Sequence, residues 1–436
     1  MPIHPSIAEL HRYYHACNGT STDTRTIASG SLFLALKGPH FNANAFAADA
    51  LAKGARYAVV DDPTVALDDR FLVVPDVLSA LQQLATYHRR TFDIPVIGIT
   101  GTNGKTTTKE LVHAVLAADR PTLATEGNLN NHIGVPLTLL KLKAEHRIAI
   151  IEMGASKRGD IAELCAIAEP THGLITNIGK AHLEGFGSAE GVIATKTELY
   201  VWLRTHGGTA FVNGDDQLLM AEGEGLARIT YGNVEGMDVR GNAVASDEPC
   251  MELVFDDNHR EHGHYHIATQ LIGNYNAPNA LAAVCIGHHF AVPDEVIAGA
   301  ITDYTPANSR SQFKDTGKNQ LVLDAYNANP SSMRAALENF AAMRSDRPKL
   351  AILGDMLELG EVSRAEHEAI MQLVASLGVE TIFIGAEFAK ASSGPHRQYP
   401  DVKAALTALQ HTPPVKKLIL VKGSRGVKLE ELQVLL

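Results

Sequence analysis

Cysteine is scarce in this chain of 436 residues: Cys17, Cys165, Cys250 and Cys285 are scattered, with no C-x-x-C spacing. That usage suits reduced thiols in a cytosol rather than a disulfide framework. Positive charge is also in deficit, 38 basic against 49 acidic residues for a net charge of -11. With no basic arm or patch, a nucleic-acid partner is not expected. No apolar run reaches about 18 residues and no charged-then-apolar leader follows Met1, so neither a membrane span nor export is expected. What is present, 45% hydrophobic and 20% charged residues, is the make-up of a globular protein. The length suggests two to four domains. The reading is a cytoplasmic, multidomain α/β protein.

The most informative stretch is IPVIGITGTNGKTTTKELVHAVLAA, starting at Ile94. Val96, Ile97 and Ile99 make a short buried strand that ends at a glycine-rich turn. Gly101, Thr102, Asn103, Gly104, Lys105, Thr106 and Thr107 follow. Leu111, Val112, Val115 and Leu116 then mark one face of a helix. A strand, a Gly-rich loop, Gly-Lys-Thr and a helix are the parts of a phosphate cradle. Backbone N–H groups face the anion, Lys105 supplies a point charge, and the Thr106 hydroxyl can reach a Mg²⁺. The pattern is the shorter G-x-x-G-K-T, because Ile99 stands where a full G-x-x-x-x-G-K-[ST] has its first glycine.

Before residue 94, strands are expected at Ser31–Leu36, Tyr57–Val60 and Phe71–Val74, with a helix at Ala45–Lys53. Asp23, Thr24 and Arg25, and Lys37-Gly38, can hold an anionic ligand, although a solvated loop is the simpler reading. His11 and His15 have the i, i+4 spacing of helical metal ligands, but no third ligand lies nearby in sequence and none is assigned. Beyond the P-loop helix, Thr125–Val135 is too rich in Gly and Asn for regular structure. Ile148–Ile151 ends in Glu152, where a carboxylate at a strand's carboxyl end can hold Mg²⁺ or its water. Gly173–Thr176 and Thr209–Val212 are further strands, and one helix is expected to carry both Lys196 and Glu198. Residues 236–270 alternate polar and apolar as antiparallel hairpins do. They place His262, His264 and His266 on one strand face, read more simply as an exposed polar strand than as a metal site. From Thr305 the β–α rhythm restarts four times, with polar turns at 324–330, 354–356, 385 and 422–426. The last resembles an anion nest. The expected architecture is three α/β domains: 1–93, a small N-terminal lobe; 94–304, a P-loop parallel sheet with an antiparallel addition; 305–436, a Rossmann-like domain.

The strings GTNGKTT at 101–107, GNLNN at 127–131, EMGAS at 152–156, NIGKAHLEGFGS at 177–188, GNYNAPNALAA at 273–283, DAYNANPSSM at 324–333, LGDMLELG at 353–360 and VKGSR at 421–425 resemble the Mur ligases of peptidoglycan synthesis. Together they span most of the chain. The resemblance implies an ADP-forming ligase acting through an acyl phosphate, with UDP-N-acetylmuramoyl tripeptide and D-alanyl-D-alanine as its substrates. It implies ATP and Mg²⁺, two ions, in a monomeric enzyme. Lys105 would hold the β/γ-phosphates and Thr106 would ligate Mg²⁺, while Glu152 and His182 would hold a second ion. Asn279 would contact adenine, and Arg310 and Asp324 would close on the nucleotide. Asn128, Asn130 and Asn131 would line the peptide channel, with Asn327, Asn329 and Lys422 near the incoming dipeptide. The N-terminal lobe, with Asp23, Thr24 and Arg25, would take the UDP end. Lys196 stands where the family carries a carbamylated lysine; spacing alone reads it as a helix lysine paired with Glu198 or Glu190. Three departures are Lys196-Thr197-Glu198 for the family's K-G-E, Ser309-Arg310 for its G-R, and Gly38-Pro39-His40-Phe41-Asn42-Ala43-Asn44 for the D-G-H-D/N-F of its N-terminal lobe. Rival expectations are a sibling or folylpolyglutamate ligase of the same fold, and a P-loop regulatory protein without ligase activity.

Overall fold

The computed structural model describes residues 3–179, 183–244, 249–257, 264–306, 310–391 and 397–436. Among the described residues three large sheets follow one another along the chain, beside a two-stranded hairpin in which Lys37–Gly38 pairs with Phe41–Asn42. The first has order β1-β2-β3-β4, with β1 Thr20–Ser21, β2 Leu32–Leu34, β3 Tyr57–Val60 and β4 Phe71–Val73, all parallel. Helix α1, Ile7–His15, is started by a capping box between Ser6 and Glu9. Helix α2, Val77–Arg89, is capped by Asp76 and ends the lobe.

The second sheet has nine strands. These are β5 Val96–Thr100, β6 Thr122–Ala124, β7 Ile148–Glu152, β8 His172–Ile175, β9 Thr209–Asn213, β10 Ala227–Gly232, β11 Val239–Val244, β12 Cys250–Asp257 and β13 Tyr265–Ile272. Their order is β13-β12-β11-β10-β9-β8-β5-β7-β6. β5 and β7 are buried at every position, the expected pattern for strands covered by helices on both faces. The register sets Ile99 beside Glu152 and Thr100 beside Ile175. Three carboxyl ends therefore finish together at the point where strand order reverses, which is where open α/β sheets bind ligands. The hairpins expected at 236–270 are β11 to β13, antiparallel to one another; β11 joins the sheet parallel to β10.

The third sheet has order β14-β15-β19-β16-β17-β18. Its strands are β14 Gln312–Asp315, β15 Gln320–Asp324, β16 Lys349–Gly354, β17 Glu380–Ile384, β18 Arg397–Tyr399 and β19 Leu418–Lys422. Four strands were expected here; the two added ones, β14 and β18, are short polar edges whose composition does not signal a strand. β14 is the antiparallel one.

The structure corrects two local expectations. Within 125–135 the irregular segment ends before Gly134, which begins a helix to Leu139. The single helix expected around Lys196 is two, α5 Ala189–Lys196 and α6 Glu198–His206, joined at Thr197.

The first two lobes share a core. Leu10, Tyr14, Leu81 and Leu84 pack in one cluster with Val96, Leu139, Leu140, Ile161 and Leu164. The third lobe builds its own two clusters on the faces of its sheet, joined from the second lobe by Ile272 and by the half-buried Cys250.

Candidate active site

The P-loop leaves β5 at Gly101, whose φ of 142° is open to glycine alone, and a Cβ there would stand 2.0 Å from Thr176 Oγ1. The residues after β8 hold the loop. Thr102 N–H donates to Asn177 O (2.9 Å), Asn103 N–H donates to Asn177 Oδ1 (3.0 Å), and Asn177 Nδ2 donates back to Asn103 O (3.0 Å). Gly104, with φ 80°, starts helix α3, Lys105–Ala117, without a side-chain cap, so its first amides stay free for an anion. A Cβ on Gly104 would meet Asn279 Oδ1 at 2.6 Å. Asn279 is fixed there by Thr108 Oγ1, which donates to it, and by its own bond to Asn276 Oδ1. Lys105 Nζ donates to the carbonyls of Gly101 (2.7 Å) and Thr102 (3.1 Å). Burial lowers its pKa; the Glu152 carboxylate opposes this and the Arg310 guanidinium adds to it.

Glu152 is buried at the end of β7. Its Oε1 accepts from Asn130 Nδ2 at 2.7 Å, and its Oε2 is buried without a hydrogen-bond partner among the described residues. An orphaned carboxylate oxygen near the buried Thr106 hydroxyl fits a hard cation such as Mg²⁺, and Asn130 is the group that orients it. His182, also assigned to this centre, lies outside the described residues. Lys196 is 2% exposed at the end of α5, with its Nζ 5.5 Å from the Phe186 ring. Burial pulls its pKa to about 7, helped by the field of Lys105 and opposed by Asp160 and Glu198. The pairing with Glu198 that spacing alone suggests is not the one Glu198 makes. Glu198 instead accepts from the N–H groups of Gly159 (2.8 Å) and Ala162 (2.9 Å), at the start of helix α4, Asp160–Ala168.

The third lobe closes the other side. Arg310 lays its guanidinium over the Tyr326 ring at 3.5 Å, with Nε buried and unbonded among the described residues. Asp324 and Lys422 are cross-strand neighbours on β15 and β19; Lys422 Nζ reaches Asp324 Oδ2 at 2.6 Å and Asn327 O at 3.4 Å. Helix α7, Pro330–Ala342, begins with a capping box between Asn329 and Ser332. Asn329 Nδ2 also donates to Asn103 Oδ1 at 2.7 Å, tying the third lobe to the P-loop.

These groups surround a cavity of about 760 Å³, whose lining includes Thr102 to Thr107, Asn130, Asn131, Glu152, Asn279, Arg310, Asp324, Asn327, Asn329 and Lys422. Lys196, Gly101 and Asn128 do not line it, nor do Asp23, Thr24 and Arg25. Asp23 and Arg25 pair with each other at 2.6 Å in a 3₁₀ turn of the first lobe. Of the turn at 422–426 that resembles an anion nest, Ser424 N–H is spent on Asp355 O, and a 3₁₀ turn, Arg425–Val427, begins within it. Sequence reasoning passed over Tyr326 and Asn177; each stands directly after a strand in a string already singled out, the position that carries the signal.

The Mur ligase middle domain matches residues 99–287, and the Mur ligase, glutamate ligase domain matches residues 309–426. The chain belongs to the Mur ligase family. A UDP-N-acetylmuramoyl-tripeptide–D-alanyl-D-alanine ligase of Bacillus subtilis is 33% identical, aligned over 95% of this chain and 92% of its own. Among solved Mur ligases, MurF from Acinetobacter baumannii superposes with a TM-score of 0.86 at 31% identity, covering 100% of this chain and 99% of the other. MurF ligase from Thermotoga maritima, solved in complex with ADP, gives 0.84 at 26% identity, covering 96% of each chain.

Proposed function

We propose that this Mur ligase joins D-alanyl-D-alanine to a UDP-N-acetylmuramoyl tripeptide in peptidoglycan precursor synthesis, with ATP converted to ADP and phosphate. The observation that carries the reading is one cavity faced by a phosphate loop, a buried carboxylate oxygen without a partner, and cationic side chains from a separate lobe. In this reading residues 94–304 bind ATP, residues 305–436 bind the amine and close on the nucleotide, and residues 1–93 take the UDP end.

The peptide carboxylate oxygen attacks the γ-phosphorus and the bond to ADP breaks, leaving an acyl phosphate. The dipeptide amine attacks the acyl carbon, an oxyanion forms and collapses, phosphate departs, and the nitrogen loses a proton. Both steps gather negative charge, which fixed cations and N–H donors stabilise. Lys105 turns from the carbonyls of Gly101 and Thr102 to the β/γ-phosphates, beside the free amides of α3. Arg310, held flat by Tyr326, faces the same charge, and Asn279 meets the adenine. Asn130 and Asn131 position the peptide, and Asn327, Asn329 and Lys422 the amine. Mg²⁺, held by Thr106, Glu152, His182 and a carbamylated Lys196, would neutralise phosphate charge. We place it in the cytoplasm as a monomer; no described helix is long and apolar enough to cross a membrane.

The test is ADP release with a UDP-muramoyl tripeptide and a panel of amino acids and dipeptides. Release should require D-alanyl-D-alanine. Release driven equally by glutamate or another single amino acid would assign the chain to a sibling ligase, and hydrolysis independent of any amine would overturn ligation.

A further inference from the structure

The third ligand that the sequence did not supply for His11 and His15 arrives from helix α2. Among the described residues, His11, His15 and His88 form a group whose ligating nitrogens all lie within 4.8 Å of one another. It lies in α1 and α2, and none of the three residues lines the nucleotide cavity. His88 is 1% exposed, and its Nε2 lies 3.0 Å from the carbonyl oxygen of Leu142 in the second lobe. A carbonyl can only accept, so Nε2 carries the proton and Nδ1 presents a bare lone pair. That lone pair faces His11 Nε2 at 3.0 Å. A ring fixed through one nitrogen by a backbone carbonyl, with the other carrying no proton of its own, is how metal-bound histidines are held. His11 is buried and His15 exposed, so the trio has one edge open to solvent. Tyr87 packs against the His11 ring at 4.9 Å and Phe92 against the His88 ring at 5.0 Å, which limits the rings' freedom.

We propose that His11, His15 and His88 form a binding site for one late divalent transition-metal ion, Zn²⁺ being the natural fit, which clamps α1 to α2 where the first lobe meets the second. Imidazole nitrogens suit Zn²⁺ and are poor ligands for Mg²⁺. Nitrogens bound tetrahedrally at about 2.0–2.1 Å stand about 3.3 Å apart, so a small inward rotation of His15 completes the set. His11 changes tautomer on binding: the proton that Nε2 directs at His88 Nδ1 in the metal-free chain passes to Nδ1 as Nε2 takes the ion. Water takes the fourth position on the exposed edge.

The experiment uses the full chain, stripped with a chelator and titrated with ZnCl₂ in excess Mg²⁺. His15→Ala is the decisive variant, because His15 is exposed and outside the nucleotide site. The wild type should bind one equivalent of Zn²⁺ tightly and gain several degrees of Tm. Co²⁺ in its place should give the intense visible bands of a four-coordinate ion. His15→Ala should unfold at the wild-type temperature without metal, bind Zn²⁺ at least tenfold more weakly and lose the Tm gain. Equal Zn²⁺ affinity in wild type and variant would overturn the proposal by placing the ion elsewhere, for example at His172 and His289, whose Nε2 atoms are 3.1 Å apart. Absence of stoichiometric binding by the wild type would overturn it as well.

Discussion

Lys105 is the one cationic side chain of the P-loop and the one we propose for the β/γ-phosphates; its contacts with Gly101 and Thr102 keep it at the loop. Lys105→Ala should lower kcat/KM for ligation by about 10³-fold or more, the scale of a lost cation in phosphoryl transfer. Its thermal unfolding should be unchanged; a loss under about tenfold would place the catalytic phosphate elsewhere. Lys196 tests different chemistry, because carbamate formation needs a neutral amine. With its pKa near 7, the neutral fraction grows about tenfold between pH 6 and pH 8. Enzyme stripped of CO₂ should therefore regain activity on CO₂ addition far more at the higher pH. Lys196→Ala should lose nearly all turnover and recover part of it with acetate or formate; near-normal turnover would return the lysine to a structural role. The sign for stability follows from the same shift. Between pH 7 and about 10.4 the unfolded chain binds a proton that the native chain does not, so stability should rise with pH there. Lys196→Met should flatten that rise in CO₂-free buffer.

At the scale of elements, Asn329 has two tasks: it caps α7 and donates to Asn103 across the cleft. Asn329→Ser separates them, since serine caps a helix comparably but is too short to reach Asn103. Tm should stay within about 1–2 °C, while KM for ATP rises about fivefold, the worth of a hydrogen bond of about 1 kcal/mol. An unchanged KM would make the cross-lobe bond incidental. Elements also set what was legible in the sequence. Strands covered on both faces, β5, β7, β16 and β19, were readable because burial demands an unbroken apolar run. Edges β14 and β18 were not, since an edge strand in a polar sequence carries no such demand. The P-loop and the polar turns after strands were local and therefore visible. The Asn103–Asn329 bond, the Arg310–Tyr326 stack and the capping of α4 by Glu198 join residues far apart in the chain, and a single sequence contains no term for them. The His11–His15 pair is the clearest case, its third member standing 73 residues beyond the second (88 − 15).

At the scale of the whole molecule, the two sides of the nucleotide cavity belong to lobes with separate cores, whereas the first and second lobes are fused. Besides the shared cluster, Thr86 Oγ1 donates to Ile167 O and the Arg89 guanidinium to Ala168 O and Glu169 O. The closure we propose is accordingly a movement of residues 310–436 against the rest. An ATP analogue with UDP-muramoyl tripeptide should lower the radius of gyration measured by solution scattering; identical values with and without ligands would count against it. The uneven division of core also decides where the gene can be cut. A fragment of residues 310–436 keeps both faces of its sheet covered and should unfold cooperatively by itself when followed by circular dichroism. A fragment ending at residue 93 would bare Leu10, Leu81 and Leu84 to water, and should aggregate or remain uncooperative unless residues 94–306 are supplied in trans. Any split version of the protein should therefore be divided behind the second lobe, never behind the first.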